Sequence, residues 1–344
     1  MRSTVLAALL LLILGGSVRS ESEMICVEEP DYVTLASVVA SYGLSTSGDS
    51  GNGELSATGG SSSLTVRADN RQALINGVRH WLSYPVRQAE GGLAISQVDV
   101  TRTLAPALRP EAVSGLRPVT TVVLDAGHGG HDRGALSPFG DEKDFALDVV
   151  GRVRRKLRAA GLRVVQSRDS DVFIPLDARP ALARKYRNAI FVSIHFNAAG
   201  RQSAAGLEIF AIPPQGAPPT GQRQPEAHDC QHENGHALEP VNLVLATTLY
   251  QTVLGKLSSF DRGVKRARFA VLREATVPAV LVEGGFLTEP TDAAQIASAS
   301  WRQQYANAIA AGIREYKRLA EQRVPPRRAR DYGRTPTTEF VPED

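Results

Sequence analysis

From Thr120 onward, short apolar runs alternate with helical stretches, and that alternation constrains the fold more than any other feature of the chain. Thr121 to Asp125 reads as a short buried strand. Further strands are expected at Arg163 to Gln166, Ile190 to His195, Leu207 to Ala211, Phe269 to Leu272 and Ala279 to Glu283. Helices are expected between them at Ala178 to Arg187, Asn242 to Leu257 and Ala293 to Leu319. Asp141 can cap another helix, whose Ala146, Val149, Val150, Val153 and Leu157 form one apolar stripe and which Gly161 ends. Strands interleaved with helices predict the α/β class, a mostly parallel twisted sheet flanked by helices. In such sheets ligands collect beyond the carboxyl ends of the strands.

Three of those strand ends carry polar, ligand-capable side chains. His128 follows the first strand within Asp125-Ala126-Gly127-His128-Gly129-Gly130, His195 ends Phe191-Val192-Ser193-Ile194-His195, and Glu283 lies in Val282-Glu283-Gly284-Gly285-Phe286. Each is costly to bury, so their convergence at one sheet edge is hard to explain by packing. Glycines on both sides of His128 let the backbone turn sharply there. Glu142 falls in the first turn of the Asp141-capped helix, where an acid also simply favours the helix dipole. With His128 and His195 it completes two imidazoles and one carboxylate, the ligand type of hydrolytic zinc sites that keep a position for water. Glu283 is then free to act as general base, taking the water's proton and returning it to a leaving nitrogen. A single histidine here would read as a hydrogen-bonded core residue; four converging groups reverse that reading.

Upstream, Met1 to Ser20 has the form of a secretory signal, with Arg2, an apolar run from Val5 to Leu14, and a small-residue end. Ten apolar residues fall short of the roughly 20 that span a bilayer. The chain is therefore expected to be exported, to a periplasm or the extracellular envelope, with no membrane span after signal removal. Without Arg2 and Arg19 the 39 basic residues become 37 against 36 acidic ones, a net charge of +1. That balance gives no field for nucleic acid. A monomer is expected. Export permits a bridge between Cys26 and Cys230, but their spacing does not imply one, and the reading weighs against it.

A first unit, residues 26–110, reads as a small α+β module. Asp31 to Tyr42 suggests a short helix, Ser45 to Ser63 a Gly/Ser-rich loop or exposed hairpin tip, and Leu64-Thr65-Val66 a strand. Ala73 to Leu82 forms a hairpin with a tight turn at Asn76-Gly77. The module carries no cluster of acids, bases or cysteines, and His80 is alone, so a wall- or partner-binding role outweighs a catalytic one. The second unit, residues 120–320, is interrupted by a long polar insertion at 213–240, and residues 322–344 read as a disordered tail. Within the insertion His232-Glu233-Asn234-Gly235-His236 matches the HExxH metalloprotease pattern. That pattern works only on a helix, which Asn234-Gly235 and the surrounding prolines oppose. A non-catalytic envelope-binding protein on the same scaffold is a third reading, set back by the presence of all four site residues.

At those residues the chain resembles the zinc-dependent N-acetylmuramoyl-L-alanine amidases, bacterial cell-wall hydrolases. The resemblance runs over about Thr121 to Arg318 through LDAGHGGHDRG (124–134), Asp141-Glu142-Lys143, SIHFNA (193–198), RGVK (262–265) and PAVLVEGGFLTEP (278–290). It implies that His128, Glu142 and His195 hold Zn2+ and that Glu283 is catalytic. The implied substrate is peptidoglycan, cut at the amide between N-acetylmuramic acid and L-alanine, and an activator protein is among the partners the family admits. His131 stands where the family commonly has lysine and is assigned to the surroundings of the metal, as is Asn197. Arg262 and Arg273 are candidates for contact with an anionic peptide, against the plainer reading of solvated surface charges, which is slightly favoured. The insertion falls where some members carry a helix that blocks the zinc, and its length and Glu226, Glu233 and Glu239 motivate the expectation that it gates the cleft. The first unit resembles the small stalk-like domain at the start of copper amine oxidases, without a metal-binding cluster.

Overall fold

The computed structural model describes residues 30–47, 53–200 and 204–322. The expected signal, Cys26 and the tail beyond Gln322 lie outside the described residues. The first unit opens with β1 (Tyr32–Thr34) and α1 (Leu35–Ser41), followed by β2 (Ser45–Ser47), β3 (Glu54–Gly59) and β4 (Ser62–Arg67). The segment expected as a loop or exposed hairpin tip thus holds strands, with β3 and β4 paired as a hairpin. Alternation decides it, because Ala57, Leu64 and Val66 point into the module's core while Ser56 and Thr65 pair their hydroxyls on the other face at 2.9 Å. The expected tight turn joins β5 (Gln72–Ile75) to β6 (Val78–Trp81), with Ile75 opposite Val78. Next come β7 (Arg87–Ala89) and β8 (Gly92–Ser96), and then α2 (Gln97–Asp99) and α3 (Ala105–Leu108) on either side of a π-helical turn.

The second unit begins with β9 (Thr121–Ala126), buried at every position, as a parallel strand covered on both faces must be. Two short strands, β10 (Leu136–Ser137) and β11 (Gly140–Asp141), lead into α4 (Glu142–Ala159). Helix α4 buries Phe145, Ala146, Val149, Val150, Val153 and Leu157, the expected stripe extended by one aromatic. Asp141 stands at its N-cap but gives no side-chain cap; its carboxylate instead takes both Nε and Nη2 of Arg133, at 2.6 and 2.7 Å. Then follow β12 (Arg163–Gln166), α5 (Ala178–Ala181), β13 (Ala189–Asn197) and β14 (Leu207–Ala211). The remaining elements are α6 (Glu239–Leu254), β15 (Asp261–Arg266), α7 (Ala270–Arg273), β16 (Ala279–Phe286), α8 (Pro290–Ala297) and α9 (Ala299–Gln322). Phe269 to Leu272, expected as a strand, is the helical turn α7 and its cap. The strand is β15, eight residues earlier, whose Arg262 and Lys265 hide the apolar signal.

One sheet of 11 strands runs in the order β12-β9-β13-β16-β14-β15-β6-β5-β4-β3-β2. From β12 to β16 neighbouring strands are parallel, and β14 is antiparallel to β16. The first unit is not detached. Its β6 adds to the edge of β15 through the pair Val264 and His80. His80 is buried there, donating from Nδ1 to the Val78 carbonyl and accepting at Nε2 from Thr247 Oγ1, both at 3.0 Å. Helices α4, α6 and α9 close one face of the sheet over a core that includes Val122, Leu124, Ile194, Val282, Tyr305 and Ile309. His195 and Glu283 alternate to the opposite face near the carboxyl ends of β13 and β16, His128 follows the carboxyl end of β9, and Glu142 opens α4.

Cys230 is disulfide-bonded, contrary to the expectation, and the chain's one other cysteine is Cys26. Spacing carries no information about whether two Cα atoms approach within bonding reach. Among the described residues no helix is long and apolar enough to cross a membrane.

Candidate active site

His128 sits two residues beyond β9 with φ +58°, a left-handed conformation that costs a non-glycine residue on the order of 1–3 kcal/mol. Two buried guanidiniums hold it. Arg168 donates to the carbonyls of Ala126 (3.1 Å) and Gly127 (2.7 Å), and Arg179 to those of Ala126 and His128, both at 2.9 Å. Arg179 is itself anchored on Asp125, which also accepts from Ser167 and Ser193. Gly127 is required by close approach, since a Cβ there would lie 2.4 Å from the His195 ring.

The loop folds back through Gly129 and Asp132, and His128 Nδ1 donates to Asp132 Oδ2 at 2.8 Å. That bond orients the ring and turns Nε2 toward Glu142 Oε1 at 3.0 Å. From the start of α4, the same oxygen meets His195 Nδ1 at 2.9 Å and accepts from the Phe196 amide at 3.1 Å, while Oε2 accepts from the Ala135 amide at 2.8 Å. Glu142 is 4% exposed. Burial would raise its pKa, but the hydrogen bonds and charges of His128 and His195 outweigh burial and hold the carboxyl far below its ordinary range. One donor atom from each of His128, Glu142 and His195 lies within 4.8 Å of the others, and this is the one such cluster among the described residues.

Glu283 is brought to the same place by pairing in register with His195 across β13 and β16. It is 8% exposed, and its Oε2 has no hydrogen-bond partner. Burial, then the carboxylates of Glu142 and Glu208, push its pKa well above the ordinary value, and Lys265 only partly offsets them. His128, His195, Glu283, Asp132 and Arg179 line a cavity of about 260 Å³ closed by Leu176, Leu281 and Phe269 to Val271. A buried, unsatisfied carboxylate oxygen beside two imidazoles and a carboxylate is a donor set that fits a divalent zinc-type ion.

Other sequence candidates fall elsewhere. His131 is exposed and rests on Phe173, with ring centroids 4.4 Å apart; the residue that braces His128 of the candidate cluster is Asp132, which sequence reasoning did not single out. Asn197 donates to Glu208 Oε1 at 2.6 Å. Arg262 pairs with buried Glu208 at 2.7 Å, whereas Arg273 stays 38% exposed beside Glu233 at 3.4 Å, as a surface charge would. No residue from 213–240 lines the cavity, so the expected gate is not found. The insertion instead packs behind the wall. Gly235 abuts the Leu272 carbonyl, and Arg268 reaches the carbonyls of Pro214, Ala217 and Asp229. The HExxH match is split between an extended stretch and a 3-10 turn (Asn234–Leu238), and His236 Nδ1 is spent accepting from the Glu233 amide at 2.9 Å.

Hydrolytic metal centres need ligands that converge at one sheet edge and a further carboxylate free to move a proton, and this edge supplies both. That defines the class: a mixed α/β scaffold carrying a candidate hydrolytic metal centre. The profile of N-acetylmuramoyl-L-alanine amidases matches residues 122–315, and the chain belongs to that family. It is 34% identical over 226 residues to the N-acetylmuramoyl-L-alanine amidase AmiC of Neisseria meningitidis, covering 59% of this chain and 53% of that one. It is 33% identical over 246 residues to AmiA of Escherichia coli, covering 65% and 84%. The chain thus spans about half the length of the Neisseria relative. Among solved structures, the amidase AmiC2 of Nostoc punctiforme is 33% identical, with a TM-score of 0.48 over 60% of this chain and 99% of that one.

Proposed function

We propose that this protein is an exported, zinc-dependent hydrolase of peptidoglycan that cleaves the amide between N-acetylmuramic acid and the L-alanine of the stem peptide. The observation that carries the reading is the unpartnered Oε2 of buried Glu283, which lines the same cavity as His128 and His195, the two imidazoles clustered with Glu142. In it, His128, Glu142 and His195 hold the ion, and Asp132 keeps His128 in the ligating tautomer. Zinc supplies Lewis acidity, polarising an amide carbonyl and making water nucleophilic near neutral pH. Glu283 takes the proton of the attacking water and delivers it to the amide nitrogen as the C–N bond breaks, a role suited to a carboxyl whose pKa is raised toward the working pH. Leu176 and Phe269 supply apolar walls that limit water around the reacting bond.

The family's cell-wall role supports export, and the small N-terminal module supports the edge of the catalytic sheet. The test is digestion of purified peptidoglycan with and without chelator, analysed for stem peptides with a new L-alanine amino terminus. Release that stops with chelator and with Glu283→Gln is expected. No such product from the zinc-loaded protein would overturn the reading.

A further inference from the structure

A cavity of about 510 Å³ lies between the first unit and the insertion, and the amidase reading makes no use of it. Arg71, Trp81, Tyr84 and Arg87 line it from the first unit, and residues 220–224 from the insertion. Two bonds at 2.9 Å pin the insertion there, from the Thr220 amide to the Arg266 carbonyl and from the Arg266 amide to Thr220 Oγ1. Trp81 sits on the open face of the sheet. Its neighbour His80 turns to Thr247 of α6, and its own ring lies 5.8 Å from Lys265 Nζ, which donates to Glu208, the residue paired with Glu283. Trp81 and Glu283 thus share one face, three strand spacings or about 14 Å apart across the sheet.

The cavity carries unmatched charge. Arg71 donates to the carbonyls of Leu82 (2.9 Å), Pro219 (3.4 Å) and Gln222, and Arg87 covers the Tyr32 ring at 4.2 Å. Neither these two nor Arg223, also in the lining, makes an ion pair among the described residues. Asp69 stands on the rim, and buried Asp99, whose charge acts on Arg71, holds the amides of Ser83 and Tyr84 at 2.7 and 3.0 Å. Three guanidiniums against two carboxylates leave one positive charge. Tyr84 is a second sign of a ligand, being 3% exposed with a hydroxyl that has no hydrogen-bond partner. Buried polar atoms are ordinarily bonded.

Hydrolysis of the muramyl amide produces an anion that matches. Water's oxygen bonds to the lactyl carbonyl carbon as the C–N bond breaks, and the L-alanine nitrogen takes both of its protons and leaves as an ammonium. The sugar keeps a carboxylate where it had a neutral amide. We propose that Arg71, Arg87, Arg223, Trp81 and Tyr84 form a second site, which binds glycan strand already stripped of its stem peptides and recognises it by that carboxylate. The proposal rests on the amidase reading. Guanidiniums take a carboxylate through charge-assisted N–H bonds, and the two rings offer flat surface with a polar edge to the sugar. About 14 Å from Glu283, the site takes a sugar further along the strand than the one being cut. Binding there keeps the enzyme beside the next uncut muramyl peptide.

The test is calorimetric titration of the zinc-loaded full chain with peptide-free glycan chains, their N-acetylmuramic acid carboxyls either free or converted to methylamides. These chains hold no scissile bond, so binding is read apart from hydrolysis. The free-carboxyl chains should bind about tenfold more tightly than the methylamides, the size of one charge-assisted hydrogen bond. The double change Arg87→Met and Arg223→Met should abolish that preference, which separates this site from carboxylate binding at the metal cluster. Tyr84→Phe should weaken binding of the free-carboxyl chains severalfold. Both variants should keep the wild-type unfolding midpoint and hydrolyse a monomeric muramyl peptide, too short to reach the cavity, at the wild-type rate. Equal affinity for the two chains, binding of neither, wild-type preference in the double variant, or equally tight binding of polyglutamate of matched charge would overturn the second site and leave the amidase reading standing. Failure of the zinc-loaded protein to release stem peptides with an L-alanine amino terminus would overturn the amidase reading, and with it the source of the carboxylate.

Discussion

Arg168 and Arg179 converge on a single acceptor, the carbonyl of Ala126, from 3.1 and 2.9 Å. Two like charges brought together in the interior repel, so the arrangement persists because each guanidinium is otherwise occupied, Arg179 by Asp125 and Arg168 by the carbonyls of Gly127 and Lys143. Between them they hold three successive carbonyls and with them the left-handed turn that presents His128.

Removing Arg179 leaves Asp125 charged and buried with its cation gone. Breaking one side of such a pair costs about 3–5 kcal/mol. Arg179→Met is therefore expected to lower the unfolding free energy by that amount in denaturant titrations. Arg179→Lys, which keeps the charge but not the fork, should fold and bind zinc about tenfold or more weakly by calorimetry, because the His128 turn loses its support. Wild-type zinc affinity in Arg179→Lys would show that the turn holds itself.

Asp132→Asn tests the support of the metal cluster more directly. An amide can still accept from His128 Nδ1, but it no longer stabilises the imidazole as a carboxylate does. Zinc affinity should fall about 10- to 100-fold, with thermal stability of the metal-free protein changed by little, since Asp132 is over a third exposed. A large loss of metal-free stability at unchanged affinity would assign Asp132 to the fold instead.

The residues legible in the sequence are those whose position on an element betrays them. His128, His195 and Glu283 stand at the ends of continuous apolar runs, and Glu142 follows a capping position, so strand and helix periodicity locate all four. Asp132 lies in an irregular loop, where no period marks it. Arg168 and Arg179 are invisible for another reason: arginine is ordinarily exposed, and nothing in a sequence shows that a guanidinium will be spent on backbone carbonyls. The fold shows the same division. Strand β9 is apolar throughout and easily read, whereas β15 carries Arg262 and Lys265 on an open face, and the short apolar run Phe269 to Leu272 fits strand or helix equally well. Joining β6 to β15, and the bonding of Cys230, depend on contacts between segments far apart in the chain.

Glu283 sets a pH dependence for the metal-free protein. Its folded pKa lies well above the ordinary 4.5, so the folded state binds the proton more tightly than the unfolded chain. The stability this contributes is complete below about pH 4.5 and is lost as pH rises through the folded value. Glu283→Gln, which never ionises, escapes that loss. With chelator present, the variant should become increasingly more stable than the wild type between pH 5 and pH 8 in thermal unfolding. A difference that does not change with pH would show that the carboxyl is not strained by its surroundings.

His80 works in the opposite direction, at the joint between the two units. Burial first, with the charge of Arg266 added, overcomes the hydrogen bond to Val78 and lowers its pKa from 6.5 to about 4. The folded state therefore favours the neutral ring, and the stability this gives is present above about pH 6.5 and is lost as pH falls toward 4. A shift of that size corresponds to about 3 kcal/mol. His80→Gln can keep a hydrogen bond to Thr247 without a titrating ring, so the wild type should lose about that much more stability than the variant between pH 6.5 and pH 4. Because His80 pairs with Val264 where β6 meets β15, the loss should appear first as faster amide exchange in β6 and β15, before the catalytic strands β9, β13 and β16 open. Uniform opening of all strands at low pH would place the acid-sensitive group elsewhere.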